Sequence, residues 1–194
     1  MIYLDDNLAA YSEDDLKSML CDISEERVEK ISRLHGFGEK LRSALAYLIL
    51  KEGLKLEYGS RFDKMPLWEY GPYGKPRLAG HPDIHFNLSH CEKAVACVIS
   101  SDPVGIDVET IGPFDEELAR YISSQREFEV IMMSPDPALA FTTLWTKKES
   151  YCKLTGHGLD SRESIIGILN SGRAIFNTQI NTHARYVMTV CCLR

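Results

Sequence analysis

The sequence predicts an α+β fold made of two similar halves. Strand candidates lie at 85–89, 94–100, 104–109 and 186–192, and long stretches of helical character lie apart from them at 40–51 and 138–154. The same order occurs twice: a long helix, a glycine-containing loop, then strands ending in a Val/Cys-rich one, AVACVI first and YVMTVCC later. Identity between the halves is too low to define a repeat, so the division rests on element order. It predicts units 1–103 and 104–194, meeting near Pro103.

Taken from the start, residues 2–4 read as a short strand followed by helices. Ser12 with Asp15, and Ser24 with acids directly after it, suit helix N-caps. A turn at Gly36 and Gly38 separates the second helix from a third, which Gly53 is expected to end. Residues 54–58 alternate weakly, and Gly71, Pro72, Gly74 and Pro76 mark a turn-rich stretch before the three central strands. After a loop at Pro113, helices are expected over 115–121 and from Ser124. The break at Pro135 and Pro137 opens the long helix, which stops at Gly156. Residues 165–169 and 174–176 flank a hairpin-like turn at 170–172, and an apolar strand closes the chain.

Composition narrows the function. A hydrophobic share of 44% in 194 residues supports a sizeable core. The net charge of -6 argues against a generic nucleic-acid binder. The opening MIYLDDNLAA carries acids where a secretory signal carries cations, and the apolar stretches at 41–50 and 94–99 cannot span a bilayer. None of the six cysteines forms a C-x-x-C pair. The expectation is a reduced, soluble, cytoplasmic protein without membrane attachment.

Three segments could carry chemistry. In PVGIDVET, a strand projects Asp107 and Glu109 from one face. Such a pair either points into solvent or shares a hard cation, and magnesium suits it, taking few protein oxygens and completing its shell with phosphate and water. In FTTLWTKKESYCKLTGHGL, a helix aligns Trp145, Glu149 and Lys153, either as a cleft wall or as an ordinary surface ion pair. In HFNLSHCEK, Ser89 and His90 close a strand, where they could bond a phosphate or serve structure alone. Gly74-Lys75-Pro76 holds one cation on a fixed turn. Arg27, Lys30 and Arg33 follow helical spacing, and Arg42 begins the next helix; clustered, they could grip phosphates, and otherwise they pair with Glu25, Glu26 and Glu29. Ser124-x-x-Glu127 fits a capping box.

Together, VGIDVE and WTKKESYCK some forty residues later resemble the paired signature of the 4'-phosphopantetheinyl transferases, closest to the surfactin-synthetase-activating branch. GKP at 74–76, HFNLSH at 85–90, SSQRE ending at Glu127 and GHGL from Gly156 also have counterparts there. The resemblance covers about 24–159, with the last thirty-odd residues matching only as a strand pattern. It implies a monomer with two α+β halves related by a pseudo-two-fold axis, coenzyme A bound by the first and the metal site and catalytic helix in the second.

Residue by residue, the resemblance assigns Asp107, Glu109 and Glu149 to magnesium, with manganese also suitable. It assigns Lys75, Ser89, His90 and Lys153 to the phosphates of coenzyme A, Arg42 to coenzyme binding, and Arg27 and Lys30 to the 3'-phosphate. His157 stands where the family commonly has lysine. The implied reaction is attack by a serine of an apo acyl or peptidyl carrier protein on the β-phosphorus, releasing 3',5'-ADP. Glu149 is the expected base and Glu127 the runner-up, with Lys153 neutralising the pyrophosphate. Carrier docking is expected at a local basic or apolar patch near Lys147 and Lys148. The rival reading is a non-catalytic coenzyme A or nucleotide-binding module of the same fold.

Overall fold

The computed structural model describes residues 1–157, 162–172 and 174–194. In the first half, helix α3 (Gly36–Tyr58) lies across an antiparallel sheet with β5 (Val95–Ser100) at its centre, between β1 (Ile2–Asp5) and β4 (His85–His90). Leu50, Leu54, Phe86, Cys97 and Ile99 are buried between helix and sheet. Gly53 does not end the helix, which continues through the weakly alternating 54–58. It marks where helix and sheet touch: a Cβ there would lie 2.7 Å from the Tyr3 ring and 2.8 Å from Ile99. That close approach offsets glycine's helix penalty of about 1 kcal/mol.

Helices α1 (Glu13–Leu20) and α2 (Glu25–Ser32) pack on α3 through Leu16, Ile23, Ile31 and Tyr47. Ser12 and Asp15 form a reciprocal capping box; Ser24 takes the N-cap of α2 without a side-chain bond. The turn-rich stretch contains a small hairpin that alternation did not reveal, β2 (Trp68–Tyr70) with β3 (Pro76–Leu78). Its three-residue strands are too short to show a period.

The second half places α6 (Pro137–Thr155) on a sheet with β8 (Tyr186–Leu193) central, between β6 (Val104–Thr110) and β7 (Ala174–Asn181). Asp136 caps the start of α6, and Gly156, at φ 75°, ends it. Helix α5 (Gln125–Met132) packs on α6 through Phe128, Ile131, Phe141 and Leu144, and α4 (Glu116–Ile122) joins the same cluster through Ala119. The strand expected at 165–169 is instead helix α7 (Arg162–Gly167), followed by a 3-10 turn, Ile168–Ser171. Ile165 and Ile168 are both buried, and three apart is helical spacing rather than alternation. No hairpin turn therefore lies at 170–172. The hairpin joins β7 to β8 across 182–185, with Arg185 at φ 58°.

The two sheets are tied together by side chains. Asn87 Oδ1 of β4 accepts from the Ile106 amide at 3.0 Å, and Ser89 Oγ accepts from the Val108 amide at 3.1 Å. These bonds satisfy donors on the edge of β6 that no strand pairs. Ala94, Ala96 and Val98 share one hydrophobic cluster with Val104, Ile106, Val108 and Met188, so the core crosses the junction of the halves. All six cysteines are free thiols, and no helix among the described residues is long and apolar enough to cross a membrane.

Candidate active site

The site begins on β6. Asp107 is buried at 1% exposure and Glu109, two residues on along the same strand face, is half-buried. Gly105, in the same strand, lets α6 come down onto it. A Cβ there would collide with the Ser150 carbonyl and lie 2.5 Å from the Leu154 amide, both backbone atoms that cannot step aside. This contact brings Glu149 and Lys153, one turn apart, over the carboxylates. The lone glycine in a β-branched run is the sequence signal for such an approach, and Gly105 was not among the expected site residues.

Lys153 does not take the surface pair with Glu149 that its spacing allows. Its Nζ lies 2.6 Å from Asp107 Oδ1 and donates to Ser89 Oγ at 2.9 Å. Ser89 in turn donates to Asp107 Oδ1 at 3.0 Å and accepts from the Val108 amide. One donor and two lone pairs are then all used. Ser89 was expected to contact a phosphate; in this structure its hydroxyl bonds Asp107, Lys153 and the Val108 amide.

Burial, then the Asp107 charge, pushes Glu109 up to about 7; Glu149 adds to the rise, while Lys153 and a hydrogen bond from Trp145 oppose it. Glu149 is raised by burial and then by Asp107, against Lys153. Three carboxylates thus face one ammonium, and Asp107 Oδ2 is buried with no partner. Among the described residues, no three acid, histidine or cysteine side chains are close enough to form a complete metal cage.

Cations gather around this centre. His90 is held below its ordinary value by desolvation of its ring, then by the charges of Arg42 and Lys153, with Arg27 contributing. Lys75 donates to the carbonyls of Leu154, at 2.8 Å, and Val104, at 3.2 Å; burial, then Arg77, lowers it to about 8. It lines a cavity of about 420 Å³ together with Tyr73, Leu88, Glu149, Lys153 and His157. A tighter pocket of about 50 Å³ lies between Arg27, Lys30, Tyr47, Trp68 and Tyr70. There Arg27 sits 5.3 Å over the Trp68 ring and donates to Ser43, while Lys30 pairs with Glu26 at 2.7 Å and reaches the Tyr70 hydroxyl. Arg33 is drawn off by Glu29. His157 stacks on Tyr73 at 4.7 Å; Gly158 and Leu159 lie outside the described residues.

Two expectations change. Lys148 is completely buried, so it cannot belong to a docking patch. Its Nζ pairs with Glu127 Oε2 at 2.9 Å, and that same oxygen accepts from the Ser124 amide in the capping box. Glu127 is therefore committed to structure in two ways.

A profile of the 4'-phosphopantetheinyl transferase superfamily matches residues 103–191. A 4'-phosphopantetheinyl transferase of Bacillus subtilis is 32% identical over 162 residues, covering 81% of this chain and 70% of the relative. The protein called 4'-phosphopantetheinyl transferase gsp in Aneurinibacillus migulanus is 32% identical, over 71% of this chain and 58% of its own. The L-aminoadipate-semialdehyde dehydrogenase-phosphopantetheinyl transferase of Saccharomyces cerevisiae is 30% identical, over 71% and 54% respectively. Likeness of this extent means that the chain belongs to the 4'-phosphopantetheinyl transferase superfamily.

Proposed function

We propose that the protein transfers the 4'-phosphopantetheine arm of coenzyme A to a serine of an apo acyl or peptidyl carrier protein, with magnesium, releasing 3',5'-ADP. The observation that carries the reading is the meeting of Asp107, Glu109, Glu149 and Lys153 over the close contact at Gly105. A carrier serine hydroxyl is a weak nucleophile at neutral pH and needs a base. Glu149 is that base: it stands one turn before Lys153 on α6 and close enough to Asp107 to feel its charge. Glu127, tied to Lys148 and the Ser124 amide, is the weaker candidate. As the serine oxygen bonds to the β-phosphorus and the pyrophosphate bond breaks, Lys153 supplies positive charge to the leaving phosphate.

The donor set suits a hard divalent ion. Asp107 Oδ2 is unpartnered, and the raised glutamates mark a surplus of negative charge. An incomplete protein cage fits magnesium or manganese, which take remaining ligands from phosphate and water. Held by Asp107, Glu109 and Glu149, the ion would neutralise pyrophosphate charge. His90, Arg42 and Lys75 hold the phosphates of coenzyme A, and Arg27 and Lys30 its 3'-phosphate. Two pseudo-symmetric halves, 1–103 and 104–194, acting as a cytoplasmic monomer, complete the reading.

The test is to incubate the protein with coenzyme A, magnesium and an apo carrier, then weigh the carrier. Gain of the phosphopantetheine mass is expected. Coenzyme binding without that gain would leave only the binding-module reading.

A further inference from the structure

Lys148 is the one fully buried lysine among the described residues, and the transfer chemistry has no use for it. It directly precedes Glu149 on α6 and points away from the site, into the junction of α4 and α5. There its ammonium donates to the Ile122 carbonyl at 2.8 Å and to Glu127 Oε2 at 2.9 Å. The Ile122 carbonyl belongs to the last residue of α4, and Glu127 lies in the first turn of α5. One ammonium thus joins three helices. Burial pulls its pKa down, while Glu127 opposes the shift.

Stability alone does not account for this arrangement. A buried ion pair gains little over well-packed apolar side chains, because removing both charges from water costs as much as their attraction returns. Leu144 and Phe141, one and two turns before Lys148 on the same face of α6, belong to an apolar cluster with Ala119, Phe128 and Ile131, against which a methionine could pack. What the pair adds is direction. Apolar packing tolerates small rotations of a helix, whereas an ammonium with two fixed acceptors does not. Rotation of α6 would swing Glu149 and Lys153 off the carboxylates of β6, and a misplacement of about 1 Å can cost about a hundredfold in rate.

We propose that Lys148 and Glu127 are positioning residues that fix the rotation of α6, and hence the placement of Glu149 at the reacting serine. The inference rests on the transferase reading and on Glu149 acting there. The test compares the wild type with Lys148→Met/Glu127→Gln, in which glutamine retains an acceptor for the Ser124 amide. Transfer from coenzyme A to an apo acyl carrier protein gives kcat and KM, and thermal melting reports the fold. The double variant is expected to melt within a few degrees of the wild type, keep its coenzyme KM within about threefold and the wild-type pH dependence of kcat, which loss of a base at Glu127 would abolish, and lose at least about tenfold in kcat. Unchanged kcat would overturn the proposal. So would a loss in which melting temperature and coenzyme affinity fall along with kcat, since that is the mark of a weakened fold. Wild-type protein that transfers nothing would instead sink the transferase reading, which the same assay records separately.

Discussion

Glu149 and Glu109 are both raised by burial and by Asp107, yet they should respond differently to substitution. Glu149→Gln removes the proposed base while keeping the side chain's size. It should lower transfer by about a hundredfold or more with coenzyme binding largely intact, checked by carrier mass and by calorimetric titration of coenzyme A. Near-normal turnover would show that another group takes the serine proton. Glu109 makes a prediction about stability in the metal-free protein. Its folded pKa of about 7 exceeds its ordinary 4.5, so between these values the folded state keeps a proton that the unfolded chain has released. The contribution of Glu109 to stability in chelator should then fall as pH rises from 4.5 to about 7, by on the order of 1–2 kcal/mol, and level off above. The denaturation midpoint of the wild type relative to Glu109→Gln should therefore decline across that range. A difference that grows with pH through the same window would refute the assignment.

At the scale of elements, the decisive contact is α6 on β6 at Gly105. An added methyl would meet the backbone of Ser150 and Leu154, leaving no side chain to yield, so the helix must move. Gly105→Ala should cost roughly 1–3 kcal/mol by overpacking, read from urea midpoints. It should also depress kcat more than that loss explains, because α6 carries Glu149 and Lys153. Gly53→Ala is the control: it is blocked by the side chains of Tyr3 and Ile99 and should weaken the fold without a specific effect on kcat. Much at this scale was legible in the sequence. The capping boxes at Ser12 and Ser124, the glycine end of α6 and the three central strands are all local signals. Residues 165–169 misled because a short apolar run has no clear period, and tertiary packing decided for helix. Gly53 misled for a related reason: propensity marks glycine as a stop, while packing against Tyr3 and Ile99 required it inside the helix.

At the scale of the molecule, the halves share a core and interlock through Asn87 and Ser89. Trp68 lies in the first half and Trp145 in the second. Unfolding followed by tryptophan fluorescence and by far-ultraviolet circular dichroism should therefore give one coincident transition, and a fragment of residues 1–103 should not fold alone. Two separated transitions would mean that the shared cluster does not couple the halves. The net charge of -6 also bears on docking, because a partner of the same sign gains no long-range attraction from such a surface. With Lys148 buried, contact must come from neighbouring surface groups rather than from that lysine.

The amino-acid sequence by itself determined the α+β class, most helix ends, the shared face of Asp107 and Glu109, and the alignment of Glu149 with Lys153. Each depends on spacing within a single strand or helix. Only the tertiary structure decided what those side chains do. It gave Lys153 to Asp107, spent the Ser89 hydroxyl on holding the site together, and turned Lys148 inward to Glu127. Such partners are far apart in the chain, and which of them meet depends on how closely α6 approaches β6. That distance is set by packing at Gly105, a glycine that marks a close approach in the sequence without telling which element comes down on it.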